Sequence, residues 1–201
     1  MNEASIRMEV QRMFREIGWN DYHPADISFK GAPVGGVSSG RPDIYMFNSV
    51  DVSAMCEVKT FTQVKTIELY FDPTRMSNKQ RRWMDWWVYG RNGVGMIAFG
   101  TLVQPRRLFI VPWKDYVQEE LFQRNREWQN LVTLGENPAP LDDALGLPKK
   151  MPISCFEKLG WECGWDHGKW TMHPAAEILK FKTVPHSKEH WSTVSLRMEE
   201  E

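Results

Sequence analysis

The feature that most constrains this chain is a pair of short apolar stretches that carry charge inside what should be strand. Arg41-Pro42-Asp43 runs straight into Ile44 to Phe47, and the second stretch, Ala54 to Lys59, contains Glu57 and Lys59. Between them, Asn48-Ser49-Val50-Asp51 supplies residues that favour a turn. The spacing predicts a β-hairpin with Asp43 at the start of its first strand. Side chains alternate along a strand, so Met55, Glu57 and Lys59 project to one side and Ala54, Cys56 and Val58 to the other. The second set can enter a core. The first needs partners, because a carboxylate or ammonium is costly to bury unless it is paired, bound to a metal or facing a ligand.

Asp43 and Glu57 offer hard oxygen ligands of the kind magnesium takes. That ion keeps several waters and binds one or two carboxylates beside substrate phosphate, and manganese is its expected substitute. Such an ion polarises a phosphodiester, lowers the pKa of a bound water and steadies the leaving oxygen. Lys59 lies two residues beyond Glu57 on the same side of the strand, placed to orient that water or to neutralise charge in the transition state. These residue types in this order predict a metal-dependent phosphodiester hydrolase.

Pro42-Asp43, the spacer and Glu57-Val58-Lys59 resemble the core motif of the PD-(D/E)XK nuclease superfamily. Within it, Ser39-Gly40-Arg41-Pro42-Asp43-Ile44 resembles the bacterial and phage Holliday-junction resolvases and the VRR-NUC nucleases, whose motif follows a glycine-containing loop, here Gly31 to Gly40. The similar downstream pattern is a Gly-containing turn and strand, Gly93 to Phe99, then a strand ending in proline, Leu108 to Pro112. The likeness covers residues 3 to 118. It implies an α/β, restriction-endonuclease-like core with a central mixed β-sheet flanked by helices. It also implies that the Val58 carbonyl adds a metal ligand, that an acid of the first helix completes the site, and that Gln80 contacts Lys59 or a scissile-strand phosphate. A phage or mobile-element source, and roles in DNA recombination and repair, are implied on the same ground.

The first helix is predicted over Glu3 to Ile17, where Ile6, Val10, Met13, Phe14 and Ile17 make an apolar stripe ending at Gly18. At about 100° per residue Glu3 falls near the middle of that stripe and Glu9 toward its edge. Glu3 is therefore the first candidate to complete the metal site and Glu9 the second. The helix dipole favours an acid at Glu3 whatever its role. Gln80 stands three residues after Ser77, which also fits a capping box. Arg41, Lys79, Arg81 and Arg82 are the DNA-phosphate candidates. Trp83, Trp86 and Trp87 follow helical spacing and are expected in a core or an interface.

A net charge of -1 does not mark a strong nucleic-acid binder, so any affinity for DNA must come from local clusters. The 201 residues suffice for one sizeable core, expected over 1–134, followed by an appended C-terminal region at 135–201. The break falls at Gly135-Glu136-Asn137-Pro138-Ala139-Pro140, after a helix expected over Lys114 to Leu134. Cys163 with His167, and His186 with His190, are spaced so that one helical turn would bring each pair to a zinc ion. Three cysteines make no disulfide framework, and no apolar run is long enough to cross a bilayer. A cytoplasmic enzyme with no membrane partner is the expectation. The activity expected is a magnesium-dependent endonuclease acting as a homodimer on branched DNA, as a Holliday-junction resolvase does. The alternatives are a flap, fork or restriction-type nuclease, or a non-catalytic DNA-binding protein of the same fold.

Overall fold

In the computed structural model, which describes residues 3–22, 41–48, 53–64, 68–91, 93–101, 106–135 and 150–172, the hairpin strands β2 (Ile44–Asn48) and β3 (Ser53–Thr60) pair antiparallel, from Ile44 opposite Cys56 to Phe47 opposite Ser53. They belong to a six-stranded sheet in the order β1-β2-β3-β6-β7-β9. Its other strands are β1 (Trp19–Tyr22), β6 (Val94–Gly100), β7 (Leu108–Pro112) and β9 (Trp161–Glu162). Only β3 and β6 run parallel, and the remaining neighbours are antiparallel, so the sheet is mixed. A parallel pair needs a crossover. Here it runs through β4 (Thr62–Val64), β5 (Glu68–Phe71), a short turn at Pro73–Arg75 and the helix α2 (Asn78–Asp85). The helices α1 (Glu3–Glu16), α3 (Trp113–Thr133) and α4 (Ile153–Leu159) complete the layers of an α/β fold.

Two glycines of β6 identify which layer covers which face. A Cβ at Gly100 would meet Ile6 of α1, whereas one at Gly95 would meet Val88, Trp113 and Met84. Alternate residues of β6 therefore face α1 on one side and the α2 and α3 layer on the other. Register carries this across to β3, where Cys56, Val58 and Thr60 lie beside Met96, Ala98 and Gly100, and Glu57 and Lys59 beside Ile97 and Phe99. Met55, expected to need a partner, is completely buried, as are Ala54, Cys56 and Val58. A central strand with helices on both faces buries both sets of side chains.

Helix α1 buries Ile6, Val10, Met13 and Phe14, as its stripe predicts, and the chain turns at Gly18 with φ of +91°. The helix that follows the capping box at Ser77 is α-helical only to Asp85, and a wider π turn spans Trp86–Gly90. The extra residue in that turn carries Trp87 and Val88 into the core, where the Trp87 indole N–H donates to the Val94 carbonyl at 3.1 Å. Trp83 is also buried and Trp86 partly so.

Residues 151–171, expected in the appended region, contribute to the same core. β8 (Met151–Pro152) pairs with β5 in a three-stranded sheet, and β9 lengthens the main sheet beside β7. Phe156 of α4 packs on Phe99 with ring centroids 4.4 Å apart and on Phe61 at 5.0 Å. Burying a phenylalanine fully stabilises by about 1.5–3 kcal/mol, so α4 is part of what holds the sheet. A last hairpin, β10 (Gly164–Asp166) with β11 (Lys169–Thr171), rests on α1. The expected glycine loop at 31–40 and the break beyond Gly135 lie outside the described residues. No helix among the described residues is long and apolar enough to cross a membrane.

Candidate active site

Glu57 lies midway along β3 with no exposed surface, and Lys59 is 6% exposed. Both project toward α2, and the Lys59 ammonium donates to Glu57 Oε1. Gln80, on the first turn of α2, donates to that same oxygen through Nε2. Its Oε1 accepts the Ser77 backbone N–H at 3.0 Å while Ser77 Oγ accepts the Gln80 N–H, so the capping box and the contact with Glu57 coexist in one side chain. Glu57 Oε1 is thus held twice. Glu57 Oε2 is buried and has no hydrogen-bond partner.

Asp43 precedes β2 and is fixed against β3: its Oδ2 accepts the Val58 backbone N–H at 2.9 Å. Its Oδ1 stands 3.9 Å from Arg7 Nη1. A half-open cavity of about 120 Å³ lies between the start of α1 and this carboxylate, lined by Glu3, Ala4, Arg7 and Asp43. Arg75 closes the neighbouring side. Its guanidinium donates to the Thr60 carbonyl at 2.6 Å and the Thr60 hydroxyl at 2.9 Å, and Nη2 stands 3.8 Å from Glu3 Oε1. That separation allows Coulomb attraction without a hydrogen bond, and Glu3 Oε1 is a second buried oxygen with no hydrogen-bond partner.

Burial first, and then the charge of Asp43, push the Glu57 carboxyl up to about 8 against the opposing pull of Lys59, with Glu3 adding least. Among the described residues, no three His, Cys, Asp or Glu side chains converge into a metal-holding group. Asp43 lies close enough to Glu57 to act on its carboxyl, and Glu3 adds a smaller effect from the α1 layer. Two carboxylates with water and phosphate oxygens are a ligand set magnesium accepts. The orphaned Glu57 Oε2 fits that chemistry, because a cation would satisfy a buried oxygen that has no hydrogen-bond partner among the described residues.

The remaining expected residues divide sharply. Glu9, the second choice for the metal site, is bonded to Arg12, which also donates to the Trp170 carbonyl, so it belongs to the packing of α1 on the last hairpin. Arg81, expected at the phosphate surface, turns inward instead and makes a two-pronged ion pair with Glu120 at 2.6 and 2.8 Å. Lys79 and Arg82 are exposed on one face of α2. Arg41 lies over the Trp83 ring, 5.4 Å from its centroid. Cys163 is buried while His167 sits at the exposed hairpin tip beside Asp166, so they share no helical turn; His173, His186 and His190 lie outside the described residues. Arg7 is the site residue that sequence reasoning passed over. For Arg7 a signal existed, since Glu3 and Arg7 are four apart and share one face of a helix.

No protein-family model matches the chain. No curated protein matches it in sequence. Among solved structures it is similar to Hjc, a Holliday junction resolvase of Archaeoglobus fulgidus, with a TM-score of 0.40 and 16% identity over 78% of this chain and 93% of that one. A likeness this distant carries no weight for the chemistry, which stands on the geometry of Asp43, Glu57, Lys59 and Gln80.

Proposed function

We propose that this chain is a divalent-metal-dependent DNA endonuclease that hydrolyses phosphodiesters at branched DNA, as a homodimer. The observation that carries the proposal is the half-satisfied carboxylate of Glu57: one oxygen bound by Lys59 and Gln80, the other buried without a partner beside Asp43. Asp43 Oδ2 is tied to the Val58 amide, which leaves Oδ1 to serve as a ligand. Asp43, Glu57 and the Val58 carbonyl would hold the ion, with Glu3 reaching it through a water. Bound magnesium, or manganese in its place, supplies the positive charge that polarises the phosphodiester and steadies the leaving oxygen.

The protein's own groups do the rest. Lys59, held at Glu57, orients the attacking water and balances charge as the phosphorus becomes more crowded. Gln80 keeps Glu57 Oε1 occupied, so that Oε2 is the oxygen presented. Arg7, at ion-pair distance from Asp43 but without a hydrogen bond to it, retains guanidinium donors for a non-bridging phosphate oxygen. Lys79, Arg82 and Arg41 supply flanking phosphate contacts. Because a four-way junction is nearly two-fold symmetric, two copies related by a two-fold axis would place their sites on opposing strands.

The test is cleavage of end-labelled four-way junction, flap, linear duplex and single-stranded DNA, with magnesium or EDTA, by the wild type and by Lys59→Ala. Magnesium-dependent paired nicks near the branch, lost in the variant, are expected. Cutting of flap or linear DNA alone would keep the site and change the substrate. Binding without cutting on any substrate would refute the enzyme.

A further inference from the structure

The last hairpin carries an aromatic platform that the cleavage site does not use. Trp165 and Trp170 face each other across β10 and β11, with ring centroids 4.9 Å apart. Trp170 is 1% exposed, whereas Trp165 is 37% exposed, a large apolar ring left at the surface. The guanidinium of Arg106, arriving just before β7, lies over the Trp165 ring 4.5 Å from its centroid. The result is a compact cluster: a buried indole, an exposed indole set edge-to-face against it at 71°, and a cation over the exposed ring. The hairpin turn is tight, with His167 at φ of +46° and Gly168 at +84°, and the Trp170 carbonyl is tied to α1 by Arg12. The exposed indole therefore rides on a rigid support and loses little conformational freedom on contact with a ligand.

The neighbouring charges favour an anionic partner with flat apolar groups. Glu162 and Glu157, the nearby acids of β9 and α4, are both bonded to Arg107 at 2.6 Å, so they do not oppose Arg106. Lys169 adds an exposed cation on β11, and Asp166 is the acid that faces it, itself 2.7 Å from His167 Nδ1. α1 joins this cluster to the cavity at Asp43: Arg7 lines the cavity, and Arg12 of the same helix holds the hairpin.

We propose that Trp165 and Arg106 form a stacking platform for an unpaired DNA base, so that single-stranded DNA or the opened bases of a branch are held beside the cleavage site. Resting on the nucleic-acid reading above, it adds a base-binding surface to that reading. Aromatic and guanidinium planes accept any base face, so the platform is indifferent to sequence and favours strands whose bases are unstacked. A fully paired, blunt duplex offers it nothing.

The experiment is equilibrium binding, in EDTA, of a fluorescein-labelled oligothymidylate, a four-way junction and a blunt duplex to the full chain and to Trp165→Ala, Trp165→Phe and Arg106→Ala. Trp165→Ala is expected to weaken oligothymidylate binding by about five-fold or more, the lower end of one lost base stack. Trp165→Phe should retain most of the affinity, Arg106→Ala should fall between, and duplex binding should change least. Equal affinity of wild type and Trp165→Ala for oligothymidylate overturns the platform, as does failure of the wild type to bind that oligonucleotide. If Trp165→Ala does not fold, Trp165→Phe and Arg106→Ala decide alone, and wild-type affinity in Arg106→Ala refutes it. Because the measurement is made without metal, a wild type that binds in this pattern but never cuts would sink the nuclease and leave the platform standing.

Discussion

Glu120 and Glu57 are both carboxylates buried in the same molecule, each paired with a cation, and they are built differently. Glu120 has both oxygens filled: Arg81 donates to Oε2 at 2.6 Å and to Oε1 at 2.8 Å, and the Tyr116 hydroxyl adds a bond to Oε1 at 2.7 Å. Glu57 has two donors crowded on Oε1 and nothing on Oε2. A buried polar atom left unsatisfied costs about 1–3 kcal/mol, more when charged. The first arrangement is what a structural ion pair looks like. The second is what a site looks like when one of its ligands comes from outside the chain.

The largest effect is expected at Glu120. Arg81→Met should cost about 3–5 kcal/mol of folding stability, because it leaves a carboxylate buried without its cation. Chemical denaturation of the metal-free protein measures this, and a loss under about 1 kcal/mol would mean that water reaches Glu120. Glu57→Gln is the matching change. It removes a charge that burial disfavours while keeping an oxygen for Lys59 and Gln80, so metal-free stability near pH 8 should hold or rise, while stabilisation by magnesium disappears.

Lys59→Ala comes next, and its effect should appear in rate rather than in stability. Removing a group that acts in the transition state costs about 10²–10³ in rate, by the scale of a lost oxyanion donor. DNA affinity measured in EDTA should stay within a few-fold. Cleavage at the wild-type rate would remove Lys59 from the site and leave the buried pair a structural one after all.

A pH titration sharpens the contrast, with an effect spread over several units and hence smaller at any one step. The Glu57 carboxyl is raised from 4.5 to about 8, so the folded protein holds this proton more tightly than the unfolded chain. The resulting stability is fully present below about pH 4.5 and is lost as the pH rises through about 8. The metal-free melting temperature should therefore decline across that window. Magnesium should restore it increasingly toward the alkaline end, because binding must displace the proton. Glu57→Gln should flatten both trends, and an unchanged slope in that variant would assign the titration to another group.

What was legible in the sequence follows from the same physics. Alternation placed Glu57 and Lys59 on one face of β3, and the helical stripe placed α1 almost to the residue, because both signals are local. The burial of Met55 was not legible, since it depends on β6 lying parallel beside β3, a pairing made across a long crossover. Nor was the inward turn of Arg81: its partner Glu120 is 39 residues away, and an arginine beside Lys79 and Arg82 looks like one more surface cation. The role of residues 151–171 escaped for a related reason. Strands as short as β8 and β9 show no period of their own, and Phe156 meets Phe99 only after the sheet has formed.

Gln80 offers the finest test, because its two ends belong to the two kinds of structure being compared. Its Oε1 closes the capping box with Ser77, and its Nε2 reaches Glu57. Ser77→Ala removes an N-cap and should cost about 1 kcal/mol of stability. It should scarcely alter cleavage, because the Nε2 contact needs only the helix and not the serine. Gln80→Glu keeps an acceptor for the cap and sets a second carboxylate against Glu57 Oε1. Stability at the cap should persist while the rate falls and the pH at which magnesium binds moves upward. Measured together, melting temperature and rate separate the two roles. If both variants lowered the rate only in proportion to the stability they lost, Gln80 would be a helix cap that happens to touch Glu57, and the pull that leaves Oε2 facing an ion would have to come from Lys59 alone.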